Sequence, residues 1–148
     1  MAISTFVNCT LTCQALVPLR SQRLTADNGL YNNDHFTLVV RVGGLPSGVS
    51  ATKAWWTVKS SSTDADPGIV QKAVTANAVT GSGQITDAGA TTSVAVFQFD
   101  AVPADTLLLT ALRAYFWDCQ WEDQQGFVHT AIGDSSLTAG QGVTAATT

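Results

Sequence analysis

Charge is what this sequence has least of. Its 148 residues include 7 Lys and Arg and 11 Asp and Glu, 12% of the chain, about half the roughly 25% usual in a soluble domain. Glutamate is nearly absent, Glu122 being the only one. Long helices and coiled coils, which draw on Glu, Lys and Leu, are therefore excluded. Seven scattered cations at a sequence pI near 4.7 form no basic patch, which argues against nucleic acid as a partner. Disorder is excluded too, because hydrophobic residues make up 45% and the net charge is only −4. Long apolar runs are also missing. The most apolar stretch, Leu107 to Trp117, is too short for a membrane span and carries Arg113. The N-terminus lacks a basic region, and Asn8, Cys9 and Thr10 interrupt its apolar residues, so no signal peptide is expected. Without secretion the sequon Asn8-Cys9-Thr10 carries no meaning.

What is abundant is Thr (20), Ala (20), Val (15), Gly (12) and Ser (11). Threonine and valine in quantity, punctuated by glycine turns, read as β-structure. Phe36, Leu38, Val40 and Val42 alternate with Thr37 and Arg41, and Gly43 to Gly48 ends that strand. In the next, Thr52 to Lys59, a period of two sends Ala54, Trp56 and Val58 to the core. Lys53, Trp55, Thr57 and Lys59 go to the other face. Ser60 to Gly68 is a loop ending in Asp66-Pro67-Gly68, followed by strands at Ile69 to Thr75 and Gln84 to Thr86. Thr91 to Phe99 is apolar on both faces and is expected to be central. Thr110 to Trp121 reads as the longest strand, with Tyr115, Trp117, Cys119 and Trp121 on one face and Asp118 and Gln120 on the other. Asp123 to Gly126 turns into a strand at Phe127 to Ile132. From Gly133 the chain is small, polar and glycine-rich, and is expected to be mobile unless a partner holds it. The expectation is an all-β fold: a single antiparallel β-sandwich, Ig-like, of about 7–9 strands with no convincing helix. Residues 1–27 form either an added strand or an arm, and residues 28–148 the sandwich with a short polar tail.

Chemistry-bearing motifs are few. The chain has no phosphate-binding loop, no nucleophile elbow, no H-E-x-x-H and no dinucleotide fingerprint. Cys9, Cys13, Cys119 and His129 could in principle make a Cys3His zinc site. Zinc sites use tighter pairs, however, and three thiols read better as small buried residues of a reducing compartment. Asp64 and Asp66 could approach calcium, but loop aspartates more often bond their own backbone. No cofactor, no metal and no catalytic residue is expected. The candidate interface is Trp55, flanked by Lys53 and Lys59 and followed by Asp64 and Asp66. An outward Trp there is either covered by the lysine stems or anchors a partner.

Three blocks carry a resemblance. Ala54 to Lys59 with Asp64-Ala65-Asp66-Pro67 and Ile69 to Lys72 is the first; Tyr115 to Gln120 with Glu122-Asp123 and Gly126 is the second; Thr130 to Leu137 with Gly142-Val143-Thr144 is the third. In that order they resemble the Ig-like β-sandwich domains of tailed-phage virion proteins, those at the N-terminus of upper baseplate proteins most nearly. The resemblance covers roughly Asn28 to Thr144. It implies a non-enzymatic virion component, assembled in the host cytoplasm, that docks on a symmetric particle as a tail or baseplate adaptor. Its partners would be baseplate, tail or major capsid proteins and further copies of itself. A capsid decoration (cement) protein is the alternative. A carbohydrate- or host-receptor-binding module, with Trp55 and Asp64 or Asp66 on a sugar, is a further one.

Overall fold

The computed structural model describes residues 6–142. Eleven strands form two facing sheets. The first holds β1 (Cys9–Gln14), β4 (Phe36–Gly43), β9 (Ala95–Ala101), β8 (Gly83–Asp87) and β7 (Val79–Thr80), in that order. The second runs β2 (Leu19–Arg20), β11 (Val128–Thr138), β10 (Ala114–Asp123), β5 (Ala51–Lys59) and β6 (Val70–Thr75), with β3 (Arg23–Leu24) also on β11. Strands β4, β9 and β8 against β6, β5, β10 and β11 reproduce the B-E-D and C′-C-F-G order of an Ig-like sandwich. Three of the eleven strands are two-residue pieces, and the eight longer ones fall within the 7–9 expected.

The core is what the period of two predicts. Phe36, Leu38, Val40 and Val42 of β4 and Ala95, Phe97 and Phe99 of β9 meet Ala54, Trp56 and Val58 of β5. Tyr115, Trp117, Cys119 and Trp121 of β10 complete the layer, and all are buried. Trp56 lies between Phe36 and Phe99, ring centroids 5.9 and 6.3 Å away. It occupies the place of the buried strand-C tryptophan of Ig domains. The Thr110 N–H donates to the Tyr115 hydroxyl oxygen at 2.8 Å. This is a tyrosine corner, which fastens the approach to a sandwich strand to the strand itself. Lys72, in register with Trp56 on β6, meets Asp105 of the one-turn helix α1 (Pro103–Thr106) at 2.6 Å, tying β6 to the chain that leaves β9.

Several boundaries differ from the sequence reading. The corner explains one: with the Thr110 N–H spent on Tyr115 and Leu112 at φ 66°, residues 110–113 turn and β10 begins only at Ala114. Likewise Ser93 at φ 62° keeps Thr91 to Val94 out of β9, which is nonetheless central, between β4 and β8. The residues after Gly133 are not a mobile tail up to Thr138. They continue β11, which at 11 residues is the longest strand. A bulge opposite Asp118, with Asp134 at φ 46°, breaks the alternation there and hides the inward Ser135 and Leu137 from a simple period. Residues 143–148, including Val143 and Thr144, lie outside the described residues.

The N-terminal stretch adds strands to both sheets. β1 pairs with β4 and, past a turn at Leu16, β2 and β3 pair with β11. All three pairings are parallel, so both sheets are mixed rather than purely antiparallel. Among the described residues no helix is long and apolar enough to cross a membrane.

Candidate docking face

The outer face of the second sheet carries the polar rows that the core-facing residues leave over. Cross-strand register sets them out. Glu122 is opposite Lys53, Gln120 opposite Trp55, Asp118 opposite Thr57 and Phe116 opposite Lys59. On the far side of β5, Ala73 pairs with Trp55 and Gln71 with Thr57. Gln71 Nε2 donates to Thr57 Oγ1 at 3.0 Å, which locks the centre of this lattice.

Two shallow grooves cross the face and share Thr57. One, of about 270 Å³, is lined by Trp55, Thr57, Asp66, Gln71, Gln120 and Val128. The other, of about 300 Å³, is lined by Thr57, Lys59, Ser62, Phe116, Asp118 and Asp134 together with Trp117 and Ser135. The β11 bulge opens the second groove by lifting Asp134 out of the ladder beside Asp118. Arg20 holds Asp134 in place at 2.8 Å.

The structure separates the five residues singled out from the sequence. Trp55 is outward but half-buried, and Asp66 lines the same groove. Lys59 lines the neighbouring groove and reaches Asp66 at 2.9 Å, its side chain largely buried. Lys53 is exposed one row beyond Trp55, facing Glu122. Asp64 stands apart: its carboxylate accepts from the Ser61 N–H at 3.0 Å, the backbone-bonding role expected of a loop aspartate. Phe116, Asp118 and Asp134 were not singled out. A signal for the first two exists in the sequence, since an aromatic and an acid stand at successive outward positions of β10. Asp134 depends on the bulge and had none.

Asp118 is the unusual group of the face. Burial raises its carboxyl above the ordinary aspartate value; Lys59 opposes the rise and Asp66 adds to it. It makes no hydrogen bond or ion pair within the described residues, and Lys59 is already engaged by Asp66. Because the folded protein binds this proton more tightly than the unfolded chain, the charged form costs stability. That cost is complete above the raised pKa and is relieved as pH falls through it towards the usual value of about 3.9. Asp118→Asn is therefore expected to stabilise the protein at pH 7, by less than about 1 kcal/mol because the site is partly screened by solvent. Urea midpoints of both proteins at pH 7 and near pH 4 check this. The gain should shrink at the lower pH, and a destabilised variant would contradict it.

A second titratable cluster, at the β10–β11 turn, is a fastening. Asp123 accepts backbone N–H groups from Gln125 and Phe127 at 2.8 and 3.1 Å and meets His129 Nε2 at 2.9 Å. The hydrogen bond from His129 holds its carboxyl below the ordinary value. The His129 ring lies on Trp121 at 4.4 Å, so the pair closes the β10–β11 hairpin. The three cysteines are free thiols. Burial pushes Cys13 up to about 11 and Cys119 well above its ordinary value. Among the described residues no group of three or more His, Cys, Asp or Glu side chains is placed to hold a metal ion.

The fold defines the class: an all-β sandwich with Ig-like strand order and a grooved outer face on its second sheet. Comparison with family models, with curated proteins and with solved structures gives no match.

Proposed function

We propose that this protein is a non-enzymatic structural component of a tailed-phage virion, a sandwich that docks on a symmetric assembly as a tail or baseplate adaptor. The observation that carries the reading is apolar surface at both ends of the sandwich. Leu16 (77% exposed), Val17 and Phe127 lie on the loops at one end. Leu107, Leu108 and Leu112 (71% exposed) lie at the other. Leu16 and Leu112 also sit at φ 65° and 66°, a left-handed conformation that costs a leucine roughly 1–2 kcal/mol. Strained, exposed leucines in a chain with so few charges suit ends that partners cover. The order of the three sequence blocks supplies the virion context. The capsid decoration alternative shares the same exposed ends and differs only in where the partner sits.

The test is sedimentation of the purified chain with tail and capsid fractions of the phage that encodes it. Co-sedimentation with one fraction is expected, and it should persist at about 0.3 M salt because apolar contacts are not screened. Leu16→Ser combined with Leu112→Ser should weaken binding at least about tenfold. A strict monomer that binds neither fraction would overturn the proposal.

A further inference from the structure

We infer that the groove between Phe116, Asp118 and Asp134 receives an arginine side chain from a neighbouring protein of the assembly. The inference rests on the docking reading above and gives it a contact point and a partner chemistry.

Charge complementarity names the occupant. Two carboxylates, Asp118 and Asp134, line the groove with one cation, Lys59; Asp66 of the neighbouring groove pairs with Lys59, and Arg20 pairs with Asp134, so three acids face two cations. With both cations so bonded, Asp118 feels the charge of Lys59 but has no ion pair of its own. The hydroxyls lining the groove are neutral and supply no compensating charge. The Thr57 hydroxyl already accepts from Gln71, and the Ser135 hydroxyl donates to the Gly133 carbonyl while accepting from the Gln22 N–H. Asp118 can only accept when ionised. A neutral polyhydroxyl ligand could bond to it but would leave its charge uncompensated. A cation both bonds and neutralises.

The aromatic wall selects among cations. Phe116 is 46% exposed along the groove, two residues from Asp118 on the same face of β10. A planar guanidinium can lie on that ring while its N–H fork meets the carboxylate. An ammonium is more strongly hydrated and offers no flat face. Nor is Asp118 explained by the fold, since its burial in charged form costs the free protein stability. Residues that lower stability without a structural return are the ones to expect at binding sites.

The experiment uses the isotope-labelled full chain and three probes followed by NMR: Nα-acetyl-arginine amide, Nα-acetyl-lysine amide and maltose. The arginine probe should shift the amides of Phe116 to Cys119 and of Asp134 and Ser135, saturating with a Kd on the order of 10 mM. The lysine probe should bind at least about threefold more weakly. Asp118→Asn, expected to fold at least as well as the parent, should abolish the shifts, and Phe116→Ala should weaken them. No localised shift up to about 100 mM of the arginine probe, or the same shifts in Asp118→Asn, would overturn the inference. So would maltose titrating these amides when the arginine probe does not, which would mark a saccharide site. Self-association that Asp118→Asn removes would place the occupant in a second copy of this chain and overturn the choice of a different partner.

Particle binding separates the two proposals. If Asp118→Asn still co-sediments fully while the leucine variant does not, docking stands and the arginine site falls. If the arginine probe binds at Asp118 but the chain ignores every particle fraction, the site stands and the docking reading falls.

Discussion

Replacing Trp56 by alanine is expected to cost about 4 kcal/mol of folding stability, the range for emptying a buried aromatic site. For a chain of this length that lowers the melting midpoint by roughly 8–16 °C. The reason is position as well as size. Trp56 is 1% exposed and bridges the two sheets, with Phe36 of β4 on one side and Phe99 of β9 on the other. Neither sheet can close over the cavity without breaking its own ladder. The indole Nε1–H, however, is buried without a hydrogen-bond partner, and such a group costs about 1–3 kcal/mol. Trp56→Phe removes that N–H and keeps most of the ring, so its cost should stay under about 2 kcal/mol. Urea unfolding followed by far-ultraviolet circular dichroism measures both. A loss well above about 2 kcal/mol for Trp56→Phe would show that removing the unpartnered N–H brings no relief.

Gly83→Ala is expected to be comparably severe, on the order of 4 kcal/mol, for a backbone rather than a packing reason. Gly83 begins β8 at φ 127°, a conformation L-residues avoid, and pairs with Phe99. A Cβ there would fall 1.9 Å from the Gln98 carbonyl oxygen and 2.9 Å from its carbon. Backbone of a central strand cannot yield as a flexible side chain does. The β7–β8 hairpin must instead lift away from β9, taking Ile85 from the core edge. Amide exchange should accelerate across β8 while β5 and β10 stay protected, a local signature that separates this clash from general destabilisation. Gly48 is the control: at φ 83° with nothing within 4 Å of an added Cβ, its replacement by alanine should cost only about 1 kcal/mol.

The docking proposal and the stability predictions meet on the second sheet. Its inner face is built on Trp56, Trp117 and Trp121, and its outer face presents Trp55, Phe116 and Asp118 in fixed cross-strand rows. A rigid sheet holds such a face more precisely than loops would. The ends, by contrast, offer apolar side chains on turns.

Alternation alone determined which residues of the long strands face inward. Side chains on a strand switch sides at every residue, so Phe36 to Val42, Ala54 to Val58 and Tyr115 to Trp121 declare their buried faces without reference to any partner strand. The scarcity of charge determined as early that the surface would rest on hydroxyls, amides and backbone. Three things were settled only by tertiary structure. Parallel pairing of β1, β2 and β3 depends on which edges the long strands leave open. The start of β10 depends on a hydrogen bond from Thr110 that exists only when the sandwich corner closes. The groove at Asp118 depends on the Asp134 bulge, a local slip of one residue between two strands. Each is set by contacts that lie outside a strand's own alternation, and periodicity within a single strand carries no information about them.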